Sequence, residues 1–357
     1  MRRLTALRHR FLTVAIAAFG VCSFSLLGLP LPFLFGPMAA CLIAALAGMH
    51  LKGLGQISVA ARTILGVAVG ASITPALLHQ LPLMAASLAF VPIYIALIAA
   101  IGVPFFTRVC KFDPVTAFYA AMPGGLQDMV IFGAEAGGNV RILSLVHATR
   151  VLIIVTIVPI LLVNLYGVSL SNPIGAPAST IPLRELGLMA VAALIGWKGG
   201  ERLGLFGASI LGPMIVAAIF SLMGWIHMRP PAEAILAAQY FIGMAIGVYY
   251  VGVTLRELRQ VVFSGVAFVI LLAFLTAVFA ELVILIGVAP KVEAFLAYAP
   301  GGQAEMTVLA IVAGADLGFV ITHHLTRIIL VITGAPLAAR YFGAGKKPPP
   351  EIKGPLE

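Results

Sequence analysis

Charge is scarce in this sequence. Of 357 residues, 10% are Asp, Glu, Lys or Arg, where a soluble domain carries roughly 25%. So few charges cannot cover a globule of this size with polar surface. The shortage excludes a soluble enzyme, a disordered chain and a nucleic-acid-binding module. Acidic residues are scarcer still, 13 against 22 basic ones, which leaves a net charge of +9. The basic residues are scattered between apolar runs, so they read as cytoplasmic loops of a membrane protein. Only three cysteines occur, Cys22, Cys41 and Cys110. They share no metal-ligand spacing and read as small, unpaired hydrophobes. No nucleotide-binding motif is present, which argues against ATP drive within this chain. No cofactor or metal is expected.

What is abundant is apolar. Hydrophobic residues make up 61% of the chain and its mean hydropathy is +1.11. The bilayer is the solvent that suits such a composition. Six apolar runs come first: Phe11–Gly28, Phe33–Met49, Arg62–Leu78, Leu83–Phe106, Pro114–Gly137 and Ile142–Leu165. Six more follow: Leu186–Trp197, Ile210–Trp225, Ala237–Val253, Val261–Val288, Val292–Gly314 and Leu317–Tyr341. The first run, preceded by four arginines, has the look of a signal peptide. It is read as a span because a similar segment recurs inside the chain.

The two series are copies. Phe-Gly-Pro-Met at Phe35–Met38 returns as Leu-Gly-Pro-Met at Leu211–Met214. From there the offset settles at 177. Gly66 and Gly70 match Gly243 and Gly247, Pro123-Gly124-Gly125 matches Pro300-Gly301-Gly302, and Asp128-Met129 matches Glu305-Met306. His147, Thr149 and Arg150 match His324, Thr326 and Arg327. A fixed offset over separate motifs implies duplication. The expected organisation is a first membrane repeat over 1–166, a linker over 167–182, a second repeat over 183–342 and a cytoplasmic tail over 343–357.

Charge placement then orients the halves. If every run crosses, there are twelve spans and parallel repeats. If each Pro-Gly-Gly run bends back as a re-entrant hairpin, five crossings per half remain and the second half is inverted. The second arrangement puts 17 basic residues inside and only Arg184, Arg229 and Lys291 outside. The Lys/Arg bias of short loops therefore favours it. Proline removes a backbone donor and glycine permits sharp turns, which suits a break in mid-run. The expected fold is all-α and integral to the membrane, with about ten transmembrane helices in two inverted repeats.

Inverted repeats with interrupted segments point to a transporter. Two hairpin tips meeting near the midplane would offer backbone N–H groups to an anion at Gly124, Gly125, Gly301 and Gly302. Gln127 and Gln303 add donors. Arg150 and Arg327 lie too deep to snorkel, and a central charge costs at least about 2.5–3.5 kcal/mol. They need a partner: either an anionic substrate, or the hairpin acids Asp128 and Glu305 in structural ion pairs. His147 and His324 share a helical face with them. Thr149 and Thr326 can bond to backbone or across helices. Asp128 and Glu305 are candidates for carrying a proton or binding a cation such as Na⁺. Glu281, with Pro104 at the matching place, is either a coupling acid or a buried or pore-facing residue of another role. The Gly66/Gly70 and Gly243/Gly247 pairs have the small-xxx-small spacing of close helix packing, and Trp197 and Trp225 read as interface anchors.

These paired motifs are Gly-Pro-Met, then Pro-Gly-Gly-x-x-acid-Met, then His-x-Thr-Arg. They resemble those of the AbrB-type bacterial inner-membrane family, whose hallmark is internal duplication. The resemblance covers nearly the full chain. It implies a multi-pass inner-membrane protein of poorly defined function and carries no catalytic roles. Members bear labels such as ammonia monooxygenase or AbrB regulator. The first finds no support in a metal-ligand cluster, and the second none in a soluble basic domain. The leading expectation is a secondary transporter, not an enzyme, for a small anion or organic acid, coupled to H⁺ or Na⁺ or to neither. The alternatives are a membrane-embedded enzyme and a non-transporting membrane regulatory protein. Expected partners are the solute and the lipid bilayer, with no nucleic acid; assembly as a homo-oligomer stays open.

Overall fold

Proline and glycine punctuate the apolar runs and set most helix ends. The computed structural model describes residues 2–29, 31–170, 174–205 and 208–341. Among these residues there are helices and no strands. The first half holds α1 (Arg2–Leu26), α2 (Pro32–Leu46), α3 (Gln56–Gly70), α4 (Pro75–Pro104), α5 (Pro114–Ala121), α6 (Leu126–Glu135) and α7 (Val140–Tyr166). The second holds α8 (Leu183–Arg202), α9 (Ala208–Leu222), α10 (Ala232–Val248), α11 (Leu255–Glu257), α12 (Phe263–Leu285), α13 (Lys291–Tyr298), α14 (Gln303–Ala313) and α15 (Leu317–Tyr341). A π-helical turn, Phe105–Val109, continues α4, and another, Leu258–Val262, joins α11 to α12.

Five segments are long and apolar enough to cross a membrane: Leu7–Leu26, Met84–Val109, Val140–Tyr166, Leu255–Leu285 and Leu317–Ala335. This is a membrane protein with an all-helical fold. Four further apolar helices, α2, α3, α9 and α10, are shorter, at 15 to 17 residues.

Those four pack in crossed pairs. α2 lies along α10 and α3 along α9, so each pair joins the two halves, while α1 backs α2 and α8 backs α9. Apolar surfaces gain little from meeting one another in lipid, so such contacts depend on close approach of backbones. Glycine supplies it. A Cβ on Gly70 would lie 2.7 Å from Ala217 Cβ, and one on Gly247 would lie 2.7 Å from the Met38 carbonyl. Gly66 and Gly243 meet the Ile210 and Leu34 carbonyls in the same way, and Gly36 and Gly212 sit against Gly20 and Gly196. The small-xxx-small motifs are therefore packing surfaces. Trp197 departs from the expected interface anchor: it is buried, and its Nε1 donates to Glu201 Oε1 at 2.6 Å.

Candidate functional site at two broken helices

Pro-Gly-Gly cuts one apolar run in each half into two short helices. Met122 and Ala299 each precede a proline, a position that disfavours helix, and both are extended, with ψ of 132° and 128°. Gly125 and Gly302 then open α6 and α14 with φ of −64° and −73°. Those angles suit any residue, so backbone conformation does not require glycine at these two positions. At Gly124, Gly301 and Gly302 the space a Cβ would take is filled by the ends of flexible side chains. A Cβ on Gly124 would lie 2.7 Å from Met129 Cε, and one on Gly301 would lie 2.9 Å from Met306 Sδ. The methionine of the motif folds back over its first glycine. At Gly302 the Glu305 carboxylate occupies the space a Cβ would need.

After each break the chain returns to its starting end. Asn139 N donates to Thr116 Oγ1 at 2.8 Å, and at the positions 177 residues on, Asp316 N donates to Glu293 Oε1 at 3.1 Å. All four half-helices, α5, α6, α13 and α14, touch α7. The two breaks thus share one helix, and the Arg150 and Arg327 guanidinium groups lie within range of each other's charge.

A cut helix leaves its last carbonyls without partners. The arginines take them. Arg327 Nη1 donates to Ala299 O at 2.8 Å and Nη2 to Gly301 O at 2.7 Å. Arg150 Nη1 donates to Met122 O at 3.0 Å and Nη2 to Gly124 O. One turn earlier on each helix, His147 Nε2 lies 3.0 Å from Tyr119 O and His324 Nε2 lies 2.9 Å from Leu296 O. A carbonyl only accepts, so each Nε2 carries the proton and donates. A forked cation at a helix C-terminus meets both the geometry and the negative end of the dipole. All four side chains are buried.

The ion pair expected between Arg327 and Glu305 does not form, and among the described residues neither arginine is salt-bridged. The carbonyls of the cut helix occupy both Nη positions instead. Glu305 is partly buried, in the field of Arg62 from α3 and of Arg150. The side chains of Gln127 and Asp128 lie outside the described residues.

The family described as Transition state regulatory protein AbrB matches residues 33–343, which takes in both breaks and both arginines. The chain belongs to the AbrB family. It is 28% identical over 361 residues to "Uncharacterized protein YhjN" of Bacillus subtilis (strain 168), across 90% of each chain. It is 29% identical over 160 residues to "Putative regulator AbrB" of Escherichia coli (strain K12), across 45% of this chain and 46% of the relative. No solved structure matches.

Elsewhere in this AbrB-family chain the expected site residues divide. Gln303 is buried at the second tip, its Nε2 4.0 Å from Met214 Sδ. Thr149 crosses between halves, with its Oγ1 2.9 Å from the Tyr250 hydroxyl, whereas Thr326 donates to its own helix at Thr322 O, 2.8 Å away. Glu281 is exposed on α12, beside Tyr166, so it is not buried as one expectation had it, and it bonds to neither break. Among the described residues no group of three His, Cys, Asp or Glu side chains converges as metal ligands.

One buried network escaped the sequence reading. Tyr94 of α4 donates to Tyr298 O at 2.9 Å and lies 3.0 Å from Thr276 Oγ1. The Tyr298 hydroxyl donates to Ser87 O at 2.6 Å, and His323 Nε2 sits 2.9 Å from Ser87 Oγ. The network secures the cut end of α13 and has no counterpart at α5, where Ala121, Leu271 and Val146 hold the positions matching Tyr298, Tyr94 and His323. Its signal was a set of polar aromatic residues in apolar runs without a match in the other copy.

Proposed function

We propose that this protein is a secondary transporter for a small anion or organic acid. In this reading it has two inverted halves and ten crossings. The α5–α6 and α13–α14 pairs are re-entrant hairpins that enter from opposite faces. The observation that carries the proposal is that both broken helices meet on α7, each with its cut end clasped by a buried arginine. At about 1.5 Å per residue, half-helices of 8 to 11 residues fall well short of the roughly 30 Å hydrocarbon layer. The return of each chain end to its start supports the hairpin form. Polar contacts between segments join ends that this topology assigns to the same side. Arg141 pairs with Glu257 at 2.9 Å, both in segments assigned to the cytoplasmic side. Glu185 meets His227, and Glu233 accepts from Ala178 N, all in segments assigned to the opposite side.

The proposed anion sits where α6 and α14 begin. Neither N-terminus is capped by its N-cap side chain, and each is the positive end of a helix dipole. The arginines fix the tips through their Nη atoms and lend positive charge. Among the described residues their Nε atoms are buried without partners, so each arginine keeps one donor in reserve. Asp128 and Glu305 are the acids to which we assign the coupling of H⁺ or Na⁺. The test is counterflow in proteoliposomes with a panel of labelled organic acids and inorganic anions. Transport is expected for at least one member and its loss in Arg150→Gln and Arg327→Gln. Folded protein that moves no member of the panel would overturn the transport reading.

A further inference from the structure

We propose that the cytoplasmic end of the bundle holds a binding site for an anionic phospholipid, with the headgroup in a basic pocket and an acyl chain in the adjoining groove. The proposal is independent of what the protein transports.

The ends of three spans meet here: Val109 closes one, and Val140 and Leu255 open the other two. Between them lies a cavity of about 380 Å³, lined by three cations, Lys111, Arg141 and Arg256, and two carboxylates, Asp113 and Glu257, among others. Arg141 is held in place by Glu257 and by the Gly252 carbonyl, 2.7 Å away. Asp113 and Asn139, in the lining, and Thr254 spend their side chains capping helices, and the Glu257 carboxylate is taken up by Arg141 and Thr254. The free cations therefore carry the attraction. Among the described residues no carboxylate pairs with Lys111, Arg256 or Arg259. Lys111 is also held at φ 58°, a left-handed conformation that is unusual for a side-chain-bearing residue.

Two further depressions run on from this pocket. Arg256 and Gln260 are shared with one that also reaches Leu255 and Arg259. Arg259 is shared in turn with a groove lined by Leu258, Val262, Phe263 and Val266. The order along the surface is charged, mixed, then apolar, over helices whose other ends lie across the membrane. A soluble anion would use only the first part. A phospholipid uses all of it: phosphate against Lys111 and Arg256, glycerol near Arg259, and chain along Phe263, which is 71% exposed. Basic pockets between helices at the cytoplasmic face have this chemistry.

The experiment takes full-length protein in neutral detergent. It measures binding of phosphatidylglycerol, phosphatidylcholine and inorganic phosphate by native mass spectrometry and by melting temperature. Phosphatidylglycerol is expected to bind and raise the melting temperature; phosphatidylcholine and inorganic phosphate are not. Lys111→Gln with Arg256→Gln should weaken phosphatidylglycerol binding by about 30-fold. Both residues are exposed, so folding should survive. Phe263→Ser should weaken it too, and Arg184→Gln, at the far end, should not. Unchanged binding by the double variant overturns the site. Equal stabilisation by inorganic phosphate, or equal binding of phosphatidylcholine, overturns its assignment to an anionic lipid.

Discussion

Arg327 closes the cut end of a helix through Ala299, whose carbonyl accepts its Nη1 at 2.8 Å; Arg150 does the same for Met122 at 3.0 Å. Two intramembrane arginines thus have a backbone use that no carboxylate is needed to explain. The charge stabilises the break, and the break positions whatever binds there.

Replacement of either arginine by glutamine should therefore destabilise the protein before it changes selectivity. Each loses two charge-assisted hydrogen bonds to buried carbonyls, worth about 1.5–3 kcal/mol apiece. Thermal unfolding in detergent should show the loss for Arg150→Gln and Arg327→Gln, with lysine recovering part of it. Rescue of Arg327→Glu by Glu305→Arg would contradict the carbonyl-clasp role, because a swapped ion pair leaves the Ala299 and Gly301 carbonyls bare.

The tip glycines separate site from scaffold. A side chain at Gly302 must displace the Glu305 carboxylate, so Gly302→Val should alter binding or transport more than stability. Gly334, in α15, is a control with open space around its Cβ position. Gly334→Ala should be neutral or stabilising by up to about 1 kcal/mol, as alanine is the better helix former. Melting temperature and counterflow measured side by side decide the matter. If Gly302→Val transports at the native rate, the tip has no place in the mechanism.

The crossed helix pairs should tolerate no bulk. Gly243→Leu would drive a side chain into the Leu34 carbonyl and Gly66→Leu into that of Ile210. Overpacking costs about 1–3 kcal/mol where side chains can yield, and a backbone obstacle yields less. Both variants should lose the monodisperse peak in size-exclusion chromatography. A normal peak and melting temperature would mean that the halves are not held by these contacts.

Sidedness is open to labelling. In a cysteine-less background, Thr180→Cys in the linker should react with an impermeant maleimide from outside, and Lys198→Cys at the end of α8 only after permeabilisation. Both positions are exposed. Labelling of both from the same side would remove the inverted arrangement.

The sequence alone determined the membrane environment, the family and the two interrupted runs. Composition decides the solvent, since 10% charge cannot wet a chain of this length. The position of the breaks was equally legible, because proline and the residue before it exclude helix locally, whatever surrounds them. The packing role of Gly66, Gly70, Gly243 and Gly247 was readable for the same reason: close approach requires small residues at one-turn spacing. What the arginines touch was not readable. Charge complementarity suggested Glu305 for Arg327, but the partners seen are backbone carbonyls, which every residue carries and no sequence pattern marks. Nor could the chain show that α2 would pair with α10 and α3 with α9, that α7 would touch both broken helices, or that Tyr94 would reach Tyr298 from 204 positions away. Those contacts join segments far apart along the chain. Their energies depend on distance and orientation after packing, and only the tertiary structure decided them.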